Sequence, residues 1–204
     1  MTITAGLVTL SEIRARLGFP TDHTEDDTVL ESVVMAVSRL VEGYCGRKFY
    51  ADTADATRYY TAEFADVLFL EDDLISVTTL KTDGDGDRTY ETTWATTDYD
   101  LEPLNATVDG QPYTRISTTP AGRYTFPSIA KSVQIVGKFG YAAAVPYPVK
   151  EACLLQCERL FKRKDAIFGV AGATEMGQMI PIAKLDPDVE FLLRPYLRVR
   201  VGGV

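Results

Sequence analysis

The sequence is poor in the residues that most site chemistry needs. Its 204 residues include a single histidine, His23, and three cysteines, Cys45, Cys153 and Cys157. An odd number of cysteines without framework spacing excludes a disulfide scaffold and suits reduced thiols in a cytosolic compartment. Cys153 and Cys157 fall on one helix face, and with one histidine a structural zinc site lacks ligands, so buried core thiols are expected. There is no Gly-x-Ser-x-Gly elbow and no His-Glu-x-x-His helix, and no Gly-Lys-Ser/Thr follows Gly169, Gly172 or Gly177 as a phosphate loop requires. The carboxylates Glu71, Asp72, Asp73, Asp98 and Asp100 offer many pairings, but most read as solvated turn residues. Neither an enzyme nor a cofactor is expected.

Long apolar runs are also missing. No window approaches the ~20 apolar residues of a membrane span, and MTITAGLVTLSEIRARLG lacks the basic-then-apolar order of a secretory signal, so no membrane contact is expected. Positive charge is in deficit too: 21 Lys and Arg stand against 29 Asp and Glu, for a net charge of -8 and a pI near 4.7. Such a chain does not grip nucleic acid by neutralising phosphates.

What the chain does have is a globular composition, 46% hydrophobic with 10% aromatic, and enough length to bury a core. TLSEIRARLG predicts a short helix with Thr9 as N-cap, Glu12 closing a capping box and Gly18 as the stop. A longer helix follows from Val29, Leu30, Val33, Val34, Val37, Leu40, Val41 and Tyr44 at helical spacing. Thr24 to Asp27 lie at its positive end and Gly46 stops it. His23 sits in the preceding loop as an exposed or capping residue.

From Phe49 to Tyr141 the pattern changes to short Thr-, Tyr-, Val- and Ile-rich runs between turn residues. Strands are expected at Arg58–Ala62, Val67–Leu70, Ser76–Lys81, Thr89–Trp94, Tyr99–Leu101, Tyr113–Ser117 and Ser132–Phe139. In the last, Val133, Ile135 and Phe139 face one way and Gln134 and Lys138 the other. Helix returns at Pro148, with Val149, Ala152, Cys153, Gln156, Cys157, Leu160 and Phe161 on one face and Lys162 to Lys164 at the negative end. FGVAGATEMGQMIP has no periodicity and reads as a flexible or partner-ordered loop. A final helix begins with Asp186 as cap and Pro187, carries Val189, Leu192, Leu193 and Tyr196 on one stripe, and is kinked or ended by Pro195. LRVRV then alternates like a strand with one basic face, or is a frayed tail.

The fold class is therefore α+β: a bundle of three to four helices with a large antiparallel β insertion between the second and third. Residues 1–48 and 146–198 form the bundle, 49–145 the insertion and 199–204 a tail. KTDGDGDRTYETT invites a calcium reading, since Asp83, Asp85 and Asp87 alternate with glycine. A hand-type loop counted from Asp83 needs Gly at its sixth position and Glu at its twelfth, where this chain has Arg88 and Trp94. Asp83, Gly84, Asp85, Gly86 and Asp87 are instead expected at an exposed hairpin tip, and no metal site is expected.

Taken in order, TLSEIRARLGF, LVEGYCGRKFY, VQIVGKFGYAAAVPYPVKEACLLQCERLFKRKDA and LDPDVEFLLRPYLR resemble the head-tail connector (adaptor, or head-completion) family of tailed bacteriophages and gene transfer particles. Shorter members join the second and third helices with little β structure, and this chain departs from them there. The resemblance implies a virion neck protein, assembled in the host cytoplasm, that forms a dodecameric ring under the portal protein. The ring leaves a channel through which DNA passes without tight binding, and it presents a surface to the next neck (stopper) or tail protein. On that reading Leu192, Leu193, Tyr196, Leu197, Arg198, Val199 and Arg200 contact the portal, and Phe168, Met176, Met179 and Ile180 meet adjacent subunits or the next ring. Leu192 and Leu193 covering the chain's own bundle is an equal alternative. A second function reading is a β-rich binding module, calcium- or glycan-dependent, on a helical frame.

Overall fold

The computed structural model describes residues 6–20, 22–163, 170–173, 179–181 and 185–198, with backbone alone at 170–173 and 179–181. The chain divides into two compact units, one of residues 1–46 and 145–204 and one of residues 47–144.

The first unit is helical. Helix α1 (Leu10–Leu17) starts where Thr9 and Glu12 cap each other and stops at Gly18 in the left-handed conformation. Helix α2 (Asp27–Cys45) is stopped in the same way by Gly46. Its buried stripe is narrower than the periodicity predicts: Leu30, Val34, Val37, Val41 and Cys45 are buried, while Val29, Leu40 and Tyr44 are 45%, 40% and 40% exposed. Helix α3 (Tyr147–Lys162) buries Val149, Ala152, Cys153, Gln156, Cys157 and Phe161. The three cysteines are buried and form no disulfide, and the Cys153 and Cys157 sulfurs lie 4.0 Å apart. Helix α4 (Pro187–Leu193) is capped by the Asp186 side chain and passes into one 3-10 turn, Arg194–Tyr196, that contains Pro195.

Helix α3 packs against α1, α2 and α4. Arg16 of α1 reaches Glu151 at 2.6 Å and Glu158 at 3.0 Å on α3. Phe19 lies 4.4 Å from His23 and 5.9 Å from Phe161, ring centre to ring centre. His23 also meets Asp26 at 3.0 Å, so the histidine belongs to the corner between α1 and α2.

The second unit is an antiparallel sheet of six strands: β1 (Ala56–Tyr60), β2 (Val67–Thr82), β3 (Thr92–Thr93), β4 (Tyr99–Glu102), β5 (Tyr113–Thr118) and β6 (Val133–Phe139). The order is β1-β6-β2-β5-β4, with β3 paired to the end of β2. Strand β6 alternates as its sequence predicts, with Val133, Ile135 and Phe139 buried. These side chains join Leu68, Leu74, Leu80, Trp94, Ile116 and Phe126 in the core, where Trp94 stacks on Phe126 at 4.7 Å.

Two of the expected strands are one. Residues 67–82 run continuously through the acidic stretch Glu71-Asp72-Asp73, with register shifts at Phe69/Leu74, Leu74/Ser76 and Val77/Thr79. The acids look like a turn in sequence, but arginines from other segments neutralise two of them. Asp73, buried, pairs with Arg47 at 2.6 Å, and Asp72 pairs with Arg58 at 2.6 Å.

A further pair of strands, β7 (Val170–Ala173) and β8 (Met179–Pro181), is antiparallel. The sequence reads this stretch as a loop because glycine and alanine leave no apolar alternation to detect. The α+β class with a β insertion between α2 and α3 holds.

Candidate docking surfaces

The Asp83 loop comes first, because its carboxylates converge: one oxygen each from Asp83, Asp85 and Asp87 lie within 4.8 Å of one another. Its local geometry accounts for that convergence. Asp83 Oδ1 accepts from the backbone N–H of Gly86 at 2.7 Å and of Asp85 at 3.2 Å, and Oδ2 accepts from Arg88 N–H at 2.9 Å. Asp87 Oδ1 accepts from Thr89 N–H at 2.6 Å. Burial pushes the Asp83 carboxyl up, and the donors from Gly86, Arg88 and Asp85 more than offset it, leaving the group below the usual aspartate range. Gly86 and Arg88 take φ of 86° and 75°, which wraps the backbone around the carboxylate.

The expected exposed tip is therefore corrected at one end. Asp83 is fully buried as the anchor of the loop, Gly86 is half-buried, and Gly84, Asp85 and Asp87 are exposed. The loop is also clasped to the segment before β6: Asp83 N–H donates to the Ser132 carbonyl at 2.9 Å and the Tyr90 hydroxyl to the Lys131 carbonyl at 2.8 Å. The Arg88 guanidinium donates to the Ala130 carbonyl.

The C-terminal candidates divide by burial. Leu193 is fully buried in the helical unit and offers nothing to a partner, while Leu192, Tyr196 and Arg198 are half-buried and Leu197 is 36% exposed. Val199 and Arg200 lie outside the described residues. Phe191, which the stripe rule passes over because it falls off the apolar face of α4, is 76% exposed. The end of the segment is anchored, since Arg198 N–H donates to the Cys45 carbonyl at 2.9 Å, on the last residue of α2. Phe168 and Met176 lie outside the described residues, and Met179 and Ile180 fall on β8.

The described residues thus form a two-part scaffold, a helical bundle interrupted in sequence by an antiparallel sheet. The family model of phage gp6-like head-tail connector proteins matches residues 7–69, which carry α1, α2, β1 and the start of β2. The resemblance to head-tail connectors read from the sequence is thus found independently over this part of the chain.

Solved structures match over its whole length. A chain from the neck of an empty gene transfer agent particle computed with C6 symmetry superposes with a TM-score of 0.61 at 21% identity, covering 100% of this chain and 96% of that one. A chain from the neck of the native particle computed with C12 symmetry gives 0.59 at 20% identity with the same coverage. A chain from the virion of the native particle gives 0.62 at 20%, again covering 100% and 96%. At such identities the likeness is one of fold. No curated protein matches the sequence.

Proposed function

We propose that this chain is a structural neck protein of a tailed phage or a gene-transfer-type particle, a head-tail adaptor that forms a ring under the portal. The observation that carries this reading is a coincidence of two independent matches. The connector family model fits residues 7–69, and the complete chain, sheet included, superposes on a neck chain with 96% of that chain covered.

The physical properties of the chain suit the role. A net charge of -8 lets DNA slide through a channel without being held by phosphate contacts. The work of such a protein is geometric: it closes a ring through contacts between unlike faces and presents docking surfaces above and below. Leu192, Tyr196, Leu197 and Arg198 form the portal contact with Val199 and Arg200. Leu193 is left out because it is buried. Met179 and Ile180, with Phe168 and Met176, are the candidates for contact with adjacent subunits or the next neck or tail protein.

Mixing the full chain with the purified portal protein of the same particle and imaging the product tests the reading. A ring of this chain on one face of the portal is the expected outcome, and Leu197→Asp should weaken its attachment about tenfold or more. A folded chain that fails to seat on the portal even at high concentration defeats it.

A further inference from the structure

Helix α2 carries two apolar stripes side by side, and the helical unit covers only one of them. The buried stripe is Leu30, Val34, Val37, Val41 and Cys45. Offset from it by one residue run Val29, Val33, Ala36, Leu40 and Gly43, with Tyr44 beside the last. Steps of four, three, four and three are the a/d repeat of a helix that meets another helix along its length. At ~100° per residue these five positions fall within an arc of about 80°. Val29 is 45% exposed, Leu40 and Tyr44 40% each, Ala36 and Gly43 are exposed and Val33 is half-buried. The arc holds no charged residue. Arg39 borders it, held back by Glu42 at 3.2 Å. A helix face meant for water is polar at such positions, and alanine and glycine on an apolar seam let a second helix come close.

We propose that this second stripe is the surface on which another copy of the same chain packs, presenting the side of its bundle formed by α3 and α4. The inference rests on the neck reading and specifies the contact that closes its ring. Charge at one end of the bundle favours this occupant, while the exposed acids Asp188 and Glu190 on α4 leave the rest of the contact to apolar packing. Phe19 touches both His23 and Phe161, so the start of α2 and the end of α3 lie at the same end of the bundle. Beside the start of the stripe stand the exposed acids Asp22 and Glu25, whereas α3 ends in the exposed bases Lys162, which also meets Glu158 at 2.5 Å, and Arg163.

Helix α4 also begins at that end, where Asp186 meets Arg159 at 3.3 Å, and it holds out Phe191 at 76% exposure. A neighbour rotated about an axis along the helices sets its Lys162 and Arg163 at the height of Asp22 and Glu25, with its Phe191 against the apolar stripe below. Two different patches are used, so the contact continues from copy to copy until the ring closes. Pairing of the stripe with itself across a two-fold axis stops at a dimer.

Light scattering and sedimentation of the full chain, from micromolar to millimolar and at low and high salt, read the contact. Wild type should grow past two chains with concentration, and added salt should weaken it. Leu40→Asp should weaken association about tenfold or more with an unchanged melting temperature. Glu25→Lys and Arg163→Glu should each weaken it, and the double variant should recover. A wild type that stays monomeric throughout, or that stops at two chains, overturns the proposal. So does a Leu40→Asp chain that associates like wild type; if that chain still seats on the portal, the stripe is refuted and the neck reading stands. Failure of wild type to seat on the portal removes the neck reading whatever the stripe does.

Discussion

In the helical unit the groups that start and stop a helix sit beside it in sequence, whereas in the sheet unit the acids in the middle of β2 are neutralised by arginines from elsewhere in the chain. Thr9 and Glu12 close the start of α1 and Gly18 its end, all within ten residues. In the sheet unit, Asp73 in mid-β2 is neutralised by Arg47, and the Arg58 guanidinium, carrying Asp72, lies 4.0 Å over the ring of Phe139. Backbone approaches are equally distant. A Cβ on Gly137 would stand 2.1 Å from the Ser76 carbonyl oxygen, and one on Gly140, whose φ is 130°, would stand 2.2 Å from that of Tyr50. The helical unit thus sets its helix ends locally and adds long-range pairs such as Arg16 with Glu151 at its surface, while the sheet unit needs non-local contacts inside its strands.

Breaking one of those contacts should have the largest effect. Asp73→Ala strands the mostly buried Arg47 cation, and a loss of about 3–5 kcal/mol is expected in denaturant unfolding. Arg47→Met, which also removes the charge, should lessen the loss when combined with it. If Asp73→Ala alone unfolds like wild type, the pair is a surface contact and the contrast between the units fails.

The two stripes of α2 sharpen the same comparison at intermediate size. Leu30→Ala should cost about 2–5 kcal/mol in thermal unfolding, and Leu40→Ala less than about 1 kcal/mol. Equal losses would mean that both stripes are core.

The smallest effect belongs to pH. Burial pushes the Glu12 carboxyl up. Hydrogen bonds from Thr9 and the Lys150 ammonium more than compensate, so its folded value lies below the ordinary 4.5. A group lowered in the folded state contributes stability above its unfolded value and loses it as pH falls through the folded value. Melting temperature should therefore fall below pH 4.5 more steeply for wild type than for Glu12→Gln. Parallel curves would show that the capping box carries no charge-dependent share.

The same contrast decides what a reader of the sequence can see. Helix starts and stops were legible because Thr9, Gly18, Gly46, Asp186 and Pro187 act on their own neighbours. The strands were legible one at a time, β6 down to its alternation, but the continuity of β2 was not. Nothing near Glu71-Asp72-Asp73 announces arginines at 47 and 58. Asp83 was misplaced for a related reason. Asp-Gly repeats usually mark water-exposed turns, and only the three converging N–H groups make this one an anchor. On α2, eight apolar positions at helical spacing were legible as one face, and their division into a covered and an uncovered stripe needed the bundle. Helix α4 was half legible: the stripe rule found Leu193, which is core, and missed Phe191, which is exposed.

The sheet unit begins and ends at one place. Lys48 and Tyr141 are joined by a backbone hydrogen bond of 2.9 Å, and Asp52 N–H reaches the Phe139 carbonyl at 2.8 Å. Once this unit has folded, the connection between α2 and α3 is no longer a long loop but a staple a few residues wide. The entropy of closing that loop is then borne by the sheet, and the bundle pays almost none of it. A segment with this geometry can be lengthened, exchanged or trimmed over generations without the helices registering the change.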